Sequence, residues 1–189
     1  MVVNKPAHSS RVARVLLVAP ACDGEDVGES WLAYQWAHRA ACADLVRDLG
    51  LGERVRIHGG VPRAEVEHFY ERSDVFVFPS YREPGSAVVL EAMAHGLPLV
   101  VCDRGGPGAN ASDACAVRVP AESPAQLARD VATAVRRLVA EPDLRLRMGE
   151  AAREHVVATH LWDRRIERMM DLYEQIAVPR TTGAGQVPG

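Results

Sequence analysis

The stretch Ser80-Tyr-Arg-Glu-Pro-Gly-Ser-Ala-Val-Val-Leu-Glu-Ala-Met-Ala-His-Gly96 decides the reading of this chain. Val75-Phe-Val-Phe78 leads into it and Leu97-Pro-Leu-Val-Val-Cys102 leads out. Both flanks are short apolar runs, the form taken by strands buried on both faces of a parallel sheet. Pro84-Gly85 marks a loop, residues 86–95 read as a helix, and Gly96 stands where a left-handed residue ends one. The order is strand, polar loop with an acid, helix with a second acid, glycine stop, strand. Seven residues separate the two acids, Glu83 and Glu91.

The alternation continues outward. Residues 15–19 read as a first strand, followed by a polar loop at 20–28. A helix is expected over about 29–49, with Leu32, Trp36, Ala40, Ala43 and Val46 near helical spacing. Gly50 and Gly52 stop it. Residues 54–58 read as a second strand ending at Gly59-Gly60. Pro62 opens a short helix that turns Val66, Phe69 and Tyr70 inward. Leu99–Cys102 and Ala116–Val119 complete five strands. Ser123-Pro-Ala-Gln126 is a capping box with proline in the first turn. Leu127, Val131, Val135 and Leu138 line the helix after it. A second helix from Pro142 places Leu144, Met148, Ala152 and Val156 inward, and a third runs from Trp162 through Ile166, Met169, Met170 and Tyr173.

The expected class is α/β, a Rossmann-like parallel sheet of about five strands with helices on both faces and a C-terminal helical segment packed alongside. Ligands bind such sheets outside the carboxyl ends of the strands. The polar or glycine-rich loops 20–28, 59–62, 79–85 and 103–108 all follow strand ends.

Composition bounds the function. The chain has 189 residues, 48% hydrophobic and 25% charged, which suits a globular domain. A net charge of -3 gives no general attraction to nucleic acid or an anionic membrane. Cys22, Cys42, Cys102 and Cys115 are scattered without a C-x-x-C pair, which fits a reducing cytoplasm better than a metal or disulfide framework. Residues 5–22 superficially resemble a lipoprotein signal, but the apolar run is short and a buried strand accounts for it. No run is long enough to span a membrane. No G-x-G-x-x-G or P-loop is present.

The chemistry gathers around the two acids. A carboxylate at Glu91, in the first turns of a helix facing the ligand edge, suits the paired 2′ and 3′ hydroxyls of a ribose. The amides of Gly85, Ser86 and Ala87 are donors at a helix start, suited to a diphosphate. Glu83 on the preceding loop reaches toward a sugar beyond it. The bland alternative for both acids is a solvated or helix-dipole carboxylate. His58, His68 and His95 lie near this region and read as core or surface histidines. Asp23, Glu25, Asp26 and Glu29 match no calcium loop and read as a solvated acidic loop. Trp31, Trp36 and Trp162 read as packing residues.

This constellation resembles the nucleotide-sugar signature of retaining GT-B glycosyltransferases of the family 4 type, over about residues 43–177. Phe69-Tyr-Glu-Arg-Ser-Asp-Val-Phe-Val-Phe-Pro-Ser80 resembles the approach to the glutamate motif. Glu91-Ala-Met-Ala-His-Gly-Leu-Pro-Leu-Val-Val-Cys-Asp-Arg-Gly-Gly106 resembles its continuation. Gly59-Gly60-Val61-Pro62 resembles the glycine loop that borders the nucleotide base, which makes Gly60 a binding candidate. The resemblance implies that Glu83 is the catalytic residue by the donor sugar and that Glu91 holds the ribose. It implies a nucleoside-diphosphate-sugar donor, no metal and no further cofactor. The acceptor would be a glycan, lipid or small molecule, with membrane association at most peripheral. Three departures stand out. Gly85-Ser86 replaces the usual aromatic after Glu-Pro, Gly108-Ala109-Asn110 replaces the acid often found after the double glycine, and Cys115 replaces the glycine opening the last strand.

Residues 14–40 resemble the opening strand, loop and helix of the family's acceptor-side domain. The expected organisation is therefore a disordered tail at 1–13, a remnant of that domain at 14–40, an incomplete nucleotide-sugar domain at 41–178 and a disordered tail at 179–189. The junction falls near 40–43. On this reading the chain by itself binds donor weakly without appreciable transfer. The alternative is a non-catalytic nucleotide-sugar-binding module or an inactive remnant.

Overall fold

A computed structural model describes residues 15–17, 40–58, 61–80 and 82–177. Its frame is a parallel sheet of four strands in sequential order: β1 (Val15–Leu17), β2 (Val75–Phe78), β3 (Leu99–Cys102) and β4 (Ala116–Val119). Val15 pairs with Val75, Phe76 with Leu99 and Leu99 with Ala116. Each connection crosses from strand to parallel strand. The carboxyl ends of β2 and β3 therefore point the same way and deliver residues 79–86 and 103–110 to one edge.

Period-two alternation divides the strands between two cores. Phe76, Phe78, Leu99 and Val101 face one cluster, with Val89, Ala92 and Met93 from helix α3 (Ala87–Ala94) and Ala152 and Val156 from helix α6 (Pro142–Thr159). Val75, Val77, Val100 and Val119 face the other, with Ala134 and Leu138 from helix α5 (Pro124–Ala140) and Met148 from α6. Every residue of β2 and β3 is buried, as continuous apolar runs require. The capping box at the start of α5 is present: Ser123 Oγ accepts from the Gln126 amide, and the Gln126 side chain accepts from the Ser123 amide.

Helix α2 (Arg63–Arg72) starts after Pro62 and buries Tyr70. Helix α3 ends at Gly96, whose φ of 69° is the left-handed conformation its position called for. Residues 40–48 are helical (α1), and of the expected inward face there only Val46 is half-buried. The remainder of the expected helix over 29–49, loop 20–28, Gly59, Gly60 and both tails lie outside the described residues.

Three expectations are corrected. Residues 54–58 form no strand, so the described residues contain four strands rather than five. The amides of Arg54 and Val55 instead bond the Leu51 carbonyl in a turn, and β1 occupies the place beside β2. The expected loop 103–108 gives way from residue 105 to a short helix, α4 (Gly105–Asn110). The last helix, α7 (Trp162–Ala177), exists as expected but buries no residue among those described. Trp162, read as a packing residue, is 79% exposed.

Candidate functional site

The loop after β2 and the segment after β3 are built into one another. The Gly106 amide donates to the Glu83 carbonyl at 2.7 Å. A side chain on Gly106 would meet the Pro84 carbonyl at 2.7 Å, and one on Gly105 would meet the Glu83 carbonyl at the same distance. Gly105 also has a φ of 59°. The double glycine is thus what lets the two backbones touch. Asn110 adds a second tie, its side-chain amide donating to the Gly85 carbonyl at 2.9 Å.

Glu83 sits on this loop, half-buried, and its Oε1 accepts the Ser86 amide at 3.2 Å. The carboxylate therefore caps the start of α3, where the helix dipole favours negative charge. Of the amides expected to face a diphosphate, that of Ser86 is engaged by Glu83. Ser86 itself is strained, with a φ of 58°. Its Oγ is buried and has no hydrogen-bond partner among the described residues. Gly85 and Ala87 flank it and are exposed. Gly60 falls outside the described residues.

Glu91 lies one turn along α3. Its Oε2 accepts a hydrogen bond from the Tyr70 hydroxyl at 3.0 Å, and its Oε1 is 3.6 Å from Arg63 Nη2. Burial, and then the charge and hydrogen bond of Glu91, push the Tyr70 phenol above its ordinary range, so it remains a donor at neutral pH. Arg63 is 92% exposed, so its pairing with Glu91 is a solvated contact of about 0–1 kcal/mol. Tyr70 stacks on His95 with ring centroids 5.2 Å apart.

The structure thus joins Glu83, Gly85, Ser86 and Ala87 on one loop and helix start, with Glu91 further along the same helix. Sequence reasoning missed two neighbours of Glu91. Arg63, Val66 and Tyr70 follow i, i+3, i+7 spacing along α2, which places the arginine and the tyrosine on one face. Two polar ends on an otherwise inward face were the available signal. His58 packs edge-on against Phe69, and His68 lies beside Glu71 on the surface. No group of three His, Cys, Asp or Glu among the described residues is arranged to hold a metal ion.

The family model described as "Glycosyl transferases group 1" matches residues 27–155, and the chain belongs to that family. It is 33% identical over 138 residues to the D-inositol 3-phosphate glycosyltransferase of Nocardiopsis dassonvillei, covering 72% of this chain and 31% of that protein. It is 30% identical over 194 residues to the enzyme of the same name from Kineococcus radiotolerans, covering 98% of this chain and 41% of that one. Among solved structures it resembles sucrose-phosphate synthase from Thermosynechococcus elongatus, with 28% identity and a TM-score of 0.62 over 86% of this chain and 38% of that one. The architecture is that of a GT-B glycosyltransferase domain, as expected from the glutamate motif. The chain spans roughly a third to two fifths of the length of these curated relatives.

Proposed function

We propose that this chain supplies the donor side of a retaining glycosyltransferase that moves a sugar from a nucleoside diphosphate to an acceptor. The observation that carries this reading is Glu91, a half-buried carboxylate oriented by the Tyr70 hydroxyl one turn into α3. A carboxylate held this way suits the paired hydroxyls of a ribose. The α3 start then receives the diphosphate, and Glu83 reaches the sugar beyond it. Diphosphate entry would exchange the Glu83 cap on Ser86 for a phosphate oxygen, which frees the acid for the sugar. Gly60 would border the base.

The family match spans residues 27–155 and so takes in both sides of 40–43. The acceptor is a glycan, a lipid or a small molecule, a class that includes the inositol phosphate named for the relatives. No metal enters this reading. The site would work in a reducing cytoplasm, in keeping with the free thiols of Cys42, Cys102 and Cys115. Any membrane association is peripheral in this reading, and no described helix is long and apolar enough to cross a membrane.

Titration calorimetry with UDP, GDP and ADP tests the site. A charged hydrogen bond contributes ~1.5–3 kcal/mol, so Glu91→Ala should weaken the tightest of the three ~10- to 150-fold. Equal affinity would remove Glu91 from the site. Following diphosphate release from the matching nucleotide sugars separates a transferase from a binding module.

A further inference from the structure

We infer that Asn110, oriented by His155 and His160, is the positioning residue of the donor loop that carries Glu83 and the α3 start. The inference rests on the reading of that loop as the donor site. Three polar groups of Asn110 are engaged. Its Nδ2 donates to the Gly85 carbonyl at 2.9 Å, its Oδ1 meets His160 Nε2 at 3.3 Å, and its own carbonyl meets His155 Nε2 at 3.1 Å. Both oxygens can only accept, so both imidazole Nε2 atoms carry the proton.

That assignment fixes the amide. One end of the asparagine side chain accepts and the other donates. With an N–H of His160 directed at Oδ1, the NH2 end is left facing Gly85. Burial, then the neighbouring charges of Arg165 and His155, hold His160 below its ordinary pKa. With Nε2 donating to Asn110, the neutral ring takes the Thr159 hydroxyl at Nδ1, a hydrogen that Thr159 then withholds from the His155 carbonyl. The loop is tied twice from α4, at the Glu83 carbonyl by Gly106 and at the Gly85 carbonyl by Asn110. The two ties bracket Pro84 and set the entry into the strained Ser86. The histidines carry the second tie to the end of α6, whose body packs on α3. Donor affinity should therefore depend on residues that do not face the donor.

The test uses the 189-residue chain with UDP, GDP and ADP as probes in calorimetry and circular dichroism to verify folding. Asn110→Ala and Asn110→Asp should each weaken the tightest probe about fivefold to tenfold. The aspartate keeps an oxygen for His160 but cannot donate to Gly85. His160→Gln, which retains an N–H donor, should stay within about twofold of wild type, whereas His160→Leu should weaken binding as Asn110→Ala does. Wild-type affinity in Asn110→Asp, or equal losses in the two His160 variants, overturns the inference. Should an Asn110 variant unfold, the His160 pair decides. If wild type binds none of the probes, or Glu91→Ala binds as wild type does, the donor reading fails and the inference with it.

Discussion

The Tyr70 hydroxyl donates to Glu91 Oε2 across 3.0 Å and so couples α2 to the acid of α3. The tyrosine is buried and stacked on His95, whereas the glutamate opens toward solvent. The buried partner orients the accessible one. Tyr70→Phe keeps the ring packing and deletes the donor. Binding of the preferred nucleoside diphosphate should weaken about 3- to 10-fold, with stability falling by about 1 kcal/mol. Because Tyr70 ionises above the ordinary tyrosine range, ultraviolet titration of the wild type should show a late-titrating phenol that Tyr70→Phe lacks. An unchanged titration curve would contradict the buried contact.

Glu83 has a structural duty as a cap and a proposed chemical one, and two substitutions separate them. Glu83→Gln retains an oxygen for the Ser86 amide, so the thermal midpoint should scarcely move. Glu83→Ala removes the cap at a cost of about 0.5–2 kcal/mol. That corresponds to a fall of a few degrees in a chain of this size. Both variants should lose sugar transfer or donor hydrolysis. Full activity in Glu83→Gln would assign the residue to capping alone.

Gly106→Ala places a methyl group against the Pro84 carbonyl, where no side chain is accommodated at 2.7 Å. The obstacle is backbone, so the loop after β2 must shift. A loss of about 1–3 kcal/mol is expected in denaturant unfolding, together with a large drop in nucleotide affinity. Gly52→Ala, which meets nothing within 4 Å, is the control. Equal behaviour of the two variants would show that loop contact is dispensable.

His160 gives the fold a measurable acid sensitivity. Its folded pKa lies below the unfolded value of about 6.5. The unfolded state then binds the proton more readily. The stabilising contribution is full above about pH 6.5 and is lost as pH falls from there toward the folded value. His160→Gln should lose stability less steeply than wild type as pH falls below about 6.5. Parallel profiles would show that the imidazole is not desolvated.

The strands Val75–Phe78, Leu99–Cys102 and Ala116–Val119, the stop at Gly96 and the Ser123 capping box were legible because each depends on local chemistry. An apolar run, a left-handed glycine and a serine three residues before a glutamine act within a few residues. The glutamate motif was legible for the same reason, since a loop and one helix carry it. Residues 54–58 carry a strand-like alternation, yet the Leu51 turn engages two of their amides and β1 lies beside β2 in their place. Pattern alone does not say which strand wins an edge. Residues 105–110 have almost no helix propensity, and α4 forms where the backbone of Glu83 and Pro84 packs against it. Tyr70 was legible as buried but not as the partner of Glu91, and nothing near Asn110 in sequence announces Gly85, His155 or His160. Sequence by itself determined the order of elements and the two acids. Tertiary structure decided which side chains orient them, because those partners lie 21 to 50 residues away and meet only when parallel strands bring their loops to one edge.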